Sequence, residues 1–440
     1  MHPREGLRCA STWASAMRSQ WLPTGRLHEQ QLEALLQHVR FAARCVPFYR
    51  RAYARLDVHA ESLRTLADLE RLPLLRREQI QADPAAFCAE QGDRRTWHES
   101  HTSGSMGKPL QMWFDPECWW QVKYAMKARW LWAAGFRPYH RLTIVDDIPA
   151  HHLARHTARV ALWGERLLRR RRYLSVFDAP ASHVGTFIEF RPHFLYGFPS
   201  YFSELSRWWT PAVRTQVPLR AVITSGETLS AVLRQRLEAT FAAPVLDVYG
   251  NTEVKDIAWR CRRGPGYHIN MESVLVELIG PDGHAVPNGQ AGEVVVTALT
   301  NRAMPLIRYA TEDRAVRLGG TCPCGRGLER LETMDGRLAD HLPMPAARWV
   351  SPYDLTTALS TLTNVLQFQL ILYGKDELEA LVVLRPGAGD TALADVEQAI
   401  GRRVGPELLV RIRQVAAIPR DASGKHRAIV VLPQPQGVLR

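Results

Sequence analysis

Lysine is nearly missing from this chain: six residues, against 50 arginines, make up its 56 basic side chains. Cysteine is sparse as well, with seven scattered over 440 residues. An odd, low number over such a length argues against a disulfide framework and leaves free thiols or a metal site as the options. No apolar run approaches the roughly 18 residues that a membrane helix needs, and residues 1–21 interrupt their apolar positions too often for a secretory signal. We therefore expect a cytoplasmic protein without a membrane span. With 46% hydrophobic and 23% charged residues, the disordered, collagen-like and coiled-coil classes also drop out.

The formal charge of +12 comes from arginines mixed with acids throughout, not from a basic tail. The one dense run, Arg169 to Arg172, reads as a solvated helix end, so no nucleic-acid partner is expected. In a chain that uses arginine nearly everywhere, an ammonium is kept where a guanidinium is too large or badly shaped. Two of the six lysines, Lys108 and Lys425, lie in motifs described below.

The length is several times that of a typical domain, so two or more domains are expected. Residues 27–57 carry leucine and alanine at helical spacing, broken at Pro47 as by two helices meeting at a bend. From about 96 to 300, β-rich runs beginning near 141, 193, 219 and 244 alternate with helix-compatible stretches such as 229–242. That alternation implies an α/β fold with a mainly parallel sheet flanked by helices. SVLVELIG and GEVVVTAL, joined through PDGHAVPNGQA, read as antiparallel strands in a β-rich flank over about 273–335. A break around 336–352 precedes strand-like and helix-like runs that suggest a small α+β C-terminal domain. The expected division is a large domain over 1–338, with a helical entry segment at about 27–90, and a small domain over 341–440.

Between His101 and Pro109, the residues Thr102, Ser103, Gly104, Ser105, Gly107 and Lys108 supply hydroxyls, flexible backbone and one positive charge, the parts of a phosphate cradle. This is not a Walker loop: the glycines stand too close, Pro109 replaces the metal-binding hydroxyl, and LQMWFD alternates like a strand. Gly226, Glu227 and Thr228 follow one predicted strand, and Tyr249, Gly250, Asn251, Thr252 and Glu253 end the next. Ligands bind beyond the carboxyl ends of strands in open parallel sheets, so these loops are candidates for one site. Tyr249 offers a stacking face, Thr252 a hydroxyl and Glu253 a hard oxygen suited to magnesium. Asp313, in YATED, is placed to accept hydrogen bonds from a ribose, and Gly336-Arg337 stands at the interdomain break.

A second constellation is Cys261, His268, Cys322 and Cys324. Four soft ligands in two turn-rich segments suit a closed tetrahedral zinc that pins loops distant in sequence. Tryptophans 113, 119, 120, 130 and 132 crowd one segment and read either as core or as the lining of an aryl pocket.

The ordered series TSGSMGKP, SGET, YGNTE, YATED, GRLAD and PRDASGKHR resembles the core motifs of the acyl-adenylate-forming superfamily: acyl-CoA ligases, luciferases and peptide-synthetase adenylation domains. VPFYRRAY and LADLERLPLLRREQI are similar in particular to the phenylacetate-CoA ligase family and its deazaflavin-adenylylating and capsule-biosynthesis relatives. The resemblance runs from about residue 30 to 430. It implies that the TSGSMGKP loop holds the ATP phosphates and that Gly226, Glu227 and Thr228 with Tyr249 frame adenine. It further implies that Thr252 meets the α-phosphate, Glu253 holds Mg2+, and Asp313 grips the ribose with Arg337 beside it. Lys425, on a small mobile domain, would bridge the carboxylate and α-phosphate during adenylation. Some members of that family carry a zinc site of the kind described above.

The implied function is ATP-dependent activation of a carboxylic acid, aromatic by resemblance, as acyl-AMP, followed by transfer to a thiol with coenzyme A as first choice. A carrier protein, an amine or a hydroxyl is the alternative acceptor, an inactive nucleotide-binding relative is a further alternative, and a second copy of the chain is a candidate partner. The sequence departs from CoA-using relatives after Gly336-Arg337: Ala339 occupies the usual polar hinge position, with Asp340 next to it, and LPMPAARWV has no glycine. Prolines 343 and 345 stiffen a segment that would have to approach the pantetheine.

Overall fold

A computed structural model describes residues 3–59, 62–101, 110–148, 170–332, 342–343, 349–350, 355, 358–359, 361–373, 377–405, 408–421 and 424–432. Local sequence explains the first elements directly. Leu27, Gln31, Leu35, His38, Val39, Ala42 and Cys45 recur on one face of helix Thr24–Cys45 and are buried. The chain then turns extended at Val46 (φ −119°), and Pro47, pre-set for a helix start, opens helix Pro47–Arg55. This is the expected bend. Tyr49 and Tyr53 join the core formed with Leu275, Leu299 and Ile307, where the Tyr49 hydroxyl donates to the Pro305 carbonyl at 3.0 Å and accepts from the Ile307 N–H at 3.0 Å.

The chain divides into two compact units, each built from two stretches: Met1–Arg137 with Leu246–Met334, and Pro138–Val245 with Asp335–Arg440. In the first unit the strands lie in the order Val274–Ile279, Ala291–Ala298, Tyr309–Leu318, Arg330–Glu332, Tyr267–Ile269, Lys255–Arg260 and Val245–Asn251, with every neighbouring pair antiparallel. A separate hairpin pairs His98–His101 with Gln111–Phe114, on either side of residues 102–109.

The second unit holds the parallel strands Ala221–Ser225, Phe194–Gly197, Leu142–Asp146 and Arg171–Ser175, in that order. Within the arginine run, the described residues Arg171 and Arg172 are in a strand, not a helix. Arg171 and Arg172 open a strand whose partners are Leu142 and Thr143, because parallel pairing, not local propensity, orders that segment. Val145, Leu195 and Val222 from these strands pack with Phe187, Phe202, Leu237 and Phe241 from the helices. The C-terminal residues form their own core. Strands Leu409–Gln414, Glu377–Leu384, Val365–Tyr373 and Ile429–Leu432 make a four-stranded sheet. Leu370 and Leu372 on it meet Ala392, Val396, Ile400 and Val404, which repeat every fourth residue along helix Gly389–Val404.

The N-terminal helix Pro3–Ser19 is docked by polar contacts within the first unit. The Ser19 hydroxyl donates to Glu272 at 2.5 Å, and buried Arg129 donates to the same carboxylate oxygen at 2.6 Å and to the Asn270 side chain at 2.6 Å. Beyond Ser19, the Gly327 N–H donates to the Gln20 carbonyl at 3.0 Å and the Thr24 hydroxyl to the Gly327 carbonyl at 2.8 Å. A Cβ on Gly327 would stand 1.8 Å from the Leu22 carbonyl oxygen. The Gly327→Ala variant is therefore expected to lose about 2–3 kcal/mol of stability, read as a lower urea midpoint at unchanged slope.

Candidate active site

The YGNTE motif is a bulged hairpin. Strands Val245–Asn251 and Lys255–Arg260 pair antiparallel with a register shift between Tyr249 and Gly250. A Cβ on Gly250 would stand 2.3 Å from the Lys255 carbonyl oxygen, so only glycine lets the strands close this tightly. The Asn251 side chain accepts from the Val254 N–H at 2.8 Å and shapes the turn that carries Thr252 and Glu253. Glu253 is 5% exposed, and its Oε1 accepts from Tyr309 Oη at 3.0 Å and from Arg77 at 3.2 Å. Both contacts fall on Oε1, which leaves Oε2 as the hard oxygen a magnesium ion would take. Tyr249 Oη donates to Asp313 Oδ2 at 2.6 Å, so the residues expected at adenine and ribose stand side by side.

Next to this hairpin lies a cationic, aromatic corner. Lys255 Nζ donates to Ser100 Oγ at 3.1 Å and sits 4.1 Å from the Phe114 ring and 5.1 Å from Trp119. Lys123 Nζ stands 3.6 Å from the same Trp119 ring. Burial, with the Lys123 charge adding to it, pushes the Lys255 ammonium down to about 7. Two of the six lysines thus face one of the crowded tryptophans.

The four soft ligands also converge. Cys261 follows strand Lys255–Arg260, and His268 stands opposite Trp259 on its partner strand, so the hairpin folds one onto the other. The Gly264-Pro265-Gly266 turn between them has no room for a side chain at either glycine: a Cβ at Gly264 would stand 2.6 Å from Cys322 Sγ, and one at Gly266 2.7 Å from the Leu331 carbonyl. Cys261 and Cys322 sulfurs are 3.7 Å apart, Cys324 Sγ and His268 Nε2 are 3.4 Å apart, and all four ligand atoms lie within 4.8 Å of one another. A tetrahedral ion with metal–sulfur bonds of about 2.3 Å needs sulfurs roughly 3.8 Å apart, so the donor set and its spacing fit zinc.

In the second unit, Gly226 has φ +86° and its Cβ position lies 3.6 Å from Lys425 Cε, so the lysine stem crosses the SGET turn. Glu227 points to protein partners. Its carboxylate accepts from the Ser200 N–H at 2.9 Å, the Ser200 hydroxyl at 2.8 Å and the His426 N–H at 2.6 Å. Burial pushes this carboxyl up, and the three donors pull against that. Thr228 is exposed beside it. Thr102, Ser103, Gly104, Ser105, Gly107, Lys108 and Arg337 lie outside the described residues, as do Ala339, Asp340 and Pro345.

Arg77, Tyr309, Ser200 and Arg420 were not singled out from the sequence. Arg77 and Tyr309 acquire meaning only through Glu253, 176 and 56 residues away. Ser200 had a usable signal: it follows strand Phe194–Gly197 closely, at the end of a parallel strand where ligands gather.

In structure the chain matches a 2-hydroxyisobutyryl-CoA ligase crystallised with 2-HIB-AMP at a TM-score of 0.78 and 21% identity, over 94% of this chain and 91% of that one. This is an adenylate-forming ligase fold. In sequence the chain is similar to the phenylacetate-coenzyme A ligase of Thermus thermophilus, 27% identical over 398 residues covering 88% of this chain and 85% of that protein. It is similar also to the Aromatoleum evansii phenylacetate-coenzyme A ligase, 26% identical over 436 residues, 92% of this chain and 94% of that protein. No family model matches the chain. No described helix is long and apolar enough to cross a membrane.

Proposed function

We propose that this protein is an ATP- and magnesium-dependent ligase that activates a carboxylic acid, aromatic by analogy with its relatives, as the acyl-adenylate and passes the acyl group to coenzyme A. The observation that carries this reading is the likeness to phenylacetate-coenzyme A ligases over 85% and 94% of their length. In the first step a carboxylate oxygen bonds to the α-phosphorus of ATP and the bridging α–β oxygen leaves with pyrophosphate. The nucleophile is already ionised at neutral pH, so no base is required. Two anions must meet, and catalysis is therefore charge neutralisation and positioning. Lys425 supplies the ammonium between carboxylate and α-phosphate, and Thr252 a hydroxyl to the α-phosphate. Glu253 would hold magnesium, whose charge offsets that of the phosphates. Asp313, oriented by Tyr249, binds the ribose, while the loop over 102–109 and Arg337 serve the phosphates. In the second step the thiol sulfur bonds to the acyl carbon, AMP leaves with the carboxyl oxygen, and the thiol proton goes to solvent.

Residues 341–440 act as the small domain that brings Lys425 to the reaction, a reading supported by their separate core. Cys261, His268, Cys322 and Cys324 hold a structural zinc. An amine or carrier-protein acceptor is the second reading, favoured by the backbone pairing of Leu342–Pro343 with Trp349–Val350, which commits both ends of a proline-bearing, glycine-free segment to antiparallel strands.

A panel including phenylacetate and benzoate should show acid-dependent pyrophosphate release, with acyl-CoA formed at a matching rate. Acyl-adenylate that accumulates in the presence of coenzyme A and is discharged by an amine or carrier protein would overturn the CoA assignment. No pyrophosphate release with any acid would overturn adenylation.

A further inference from the structure

We propose that Glu227 is a positioning residue that seats the Lys425 loop for adenylation, and that its side chain acts on the lysine and not on the nucleotide. The inference rests on the assignment of Lys425 made above. Its basis is where the carboxylate's hydrogen bonds go. Glu227 Oε1 accepts from the His426 N–H at 2.6 Å, the peptide group that joins Lys425 to its neighbour. The same carboxylate is braced by the N–H and hydroxyl of Ser200, at 2.9 and 2.8 Å. Arg420 closes the arrangement from the lysine's own loop. Its guanidinium donates to Ser200 Oγ at 2.6 Å and to the Gly424 carbonyl at 3.3 Å, and it pairs with Glu204 at 3.4 Å.

The loop has little freedom to compensate if this anchor is lost. Gly424 sits at φ +73°, and a Cβ there would be 2.2 Å from Val176 Cγ1, so the backbone itself packs on the strand end. Asp421 ties the turn internally, its N–H donating to the Lys425 carbonyl at 2.9 Å and its Oδ1 accepting from the Lys425 N–H at 3.0 Å. These bonds tie Asp421 and Lys425 to each other. The bonds to Glu227 and Ser200 fix where Arg420 and the Lys425–His426 peptide stand relative to the parallel strands. A carboxylate accepting several short, charge-assisted hydrogen bonds holds its donors more tightly than a neutral acceptor would. The lysine stem crossing Gly226 next door places the ammonium and its anchor on one short peptide.

An adenine contact and a loop anchor make opposite demands on kinetics. A side chain that binds adenine raises the KM for ATP when removed. Loss of an anchor for Lys425 lowers the rate of adenylation, leaves the KM for ATP nearly alone, and spares acyl transfer, which does not use the lysine. For Glu227→Ala we expect acid-dependent exchange of labelled pyrophosphate into ATP to slow about 10- to 100-fold, the range for lost hydrogen bonds to a charged group. Glu227→Gln and Ser200→Ala should slow it less. Transfer from presynthesised phenylacetyl-adenylate to coenzyme A should stay within about twofold of wild type.

A second readout needs no substrate. Amide hydrogen exchange over residues 420–427 should accelerate in Glu227→Ala, while strand Ala221–Ser225 and helix Gly389–Val404 keep their protection.

Lys425→Ala is the control that separates the two assignments. If it exchanges pyrophosphate at the wild-type rate, the reading of Lys425 fails and this inference with it. If Lys425→Ala is inactive while Glu227→Ala exchanges normally and its 420–427 amides stay protected, the anchor alone is wrong. A rise in the KM for ATP at unchanged adenylation rate would return Glu227 to the adenine site. Equal loss in both half-reactions, with a general loss of amide protection, would reduce its role to fold stability.

Discussion

Replacing Lys425 by alanine is expected to slow acid-dependent pyrophosphate exchange at least about a hundredfold, the scale of removing one charge-stabilising donor from a transition state. The reason lies in the charges that meet. A carboxylate approaching an α-phosphate brings like charges together, and without the ammonium the repulsion is greatest as the new bond forms. Arginine does not replace it well: a planar fork cannot occupy the space of a compact ammonium, and this chain, which prefers arginine 50 to six, keeps a lysine here. Lys425→Arg is accordingly expected to recover little of the lost rate. Acyl transfer from presynthesised adenylate should survive either substitution. Near wild-type exchange by Lys425→Ala would remove the residue from the chemistry.

The second large effect concerns stability. Freshly purified protein should contain about one zinc per chain, and Cys322→Ser should lower the melting temperature by roughly 5–10 °C, as a loss of about 3 kcal/mol does in a unit of this size. Cys322 is buried, with Cys261 Sγ 3.7 Å away, so a serine there offers a hard, protonated ligand to a site of soft ones. The damage should spread through the turns it joins. Arg330, paired across the sheet with His268, also donates to the carbonyls of Gly319, Gly320 and Pro265. ATP affinity should change much less than stability. Metal analysis that finds no zinc would withdraw the site.

Strands with β-branched runs were legible, Ala221–Ser225 and Ala291–Ala298 among them, because their burial is written into neighbouring residues. Helix Pro3–Ser19 was not. Its docking runs through Ser19, Glu272 and Arg129, and the first two of these are 253 positions apart. Arg171–Ser175 was hidden for a related reason: its arginines suggest a solvated surface, and only pairing with Leu142–Asp146 makes it a strand. The same distinction runs through the site. Cysteines, a histidine and a YGNTE motif announce their chemistry by residue type, whereas Ser200 and Arg77 are ordinary residues until folding brings them to Glu227 and Glu253. Nor does residue type announce that the Glu227 carboxylate accepts from the His426 N–H, beside Lys425.

The discontinuous make-up of the first unit has a consequence for the ribosome. The stretch Met1–Arg137 cannot complete its core until Leu246–Met334 has been made. At translation rates of about 5–20 residues per second, the half-built first unit spends several seconds with apolar surface uncovered. Leu35, Val39, Tyr49 and Tyr53, for example, await Leu275, Leu299 and Ile307. Strictly vectorial folding is closed to that unit, and its emerging apolar segments are the kind of surface that nascent-chain chaperones cover. A truncation placed at residue 137 would yield a half-core that aggregates, so expression of that isolated fragment is a poor route to the first unit.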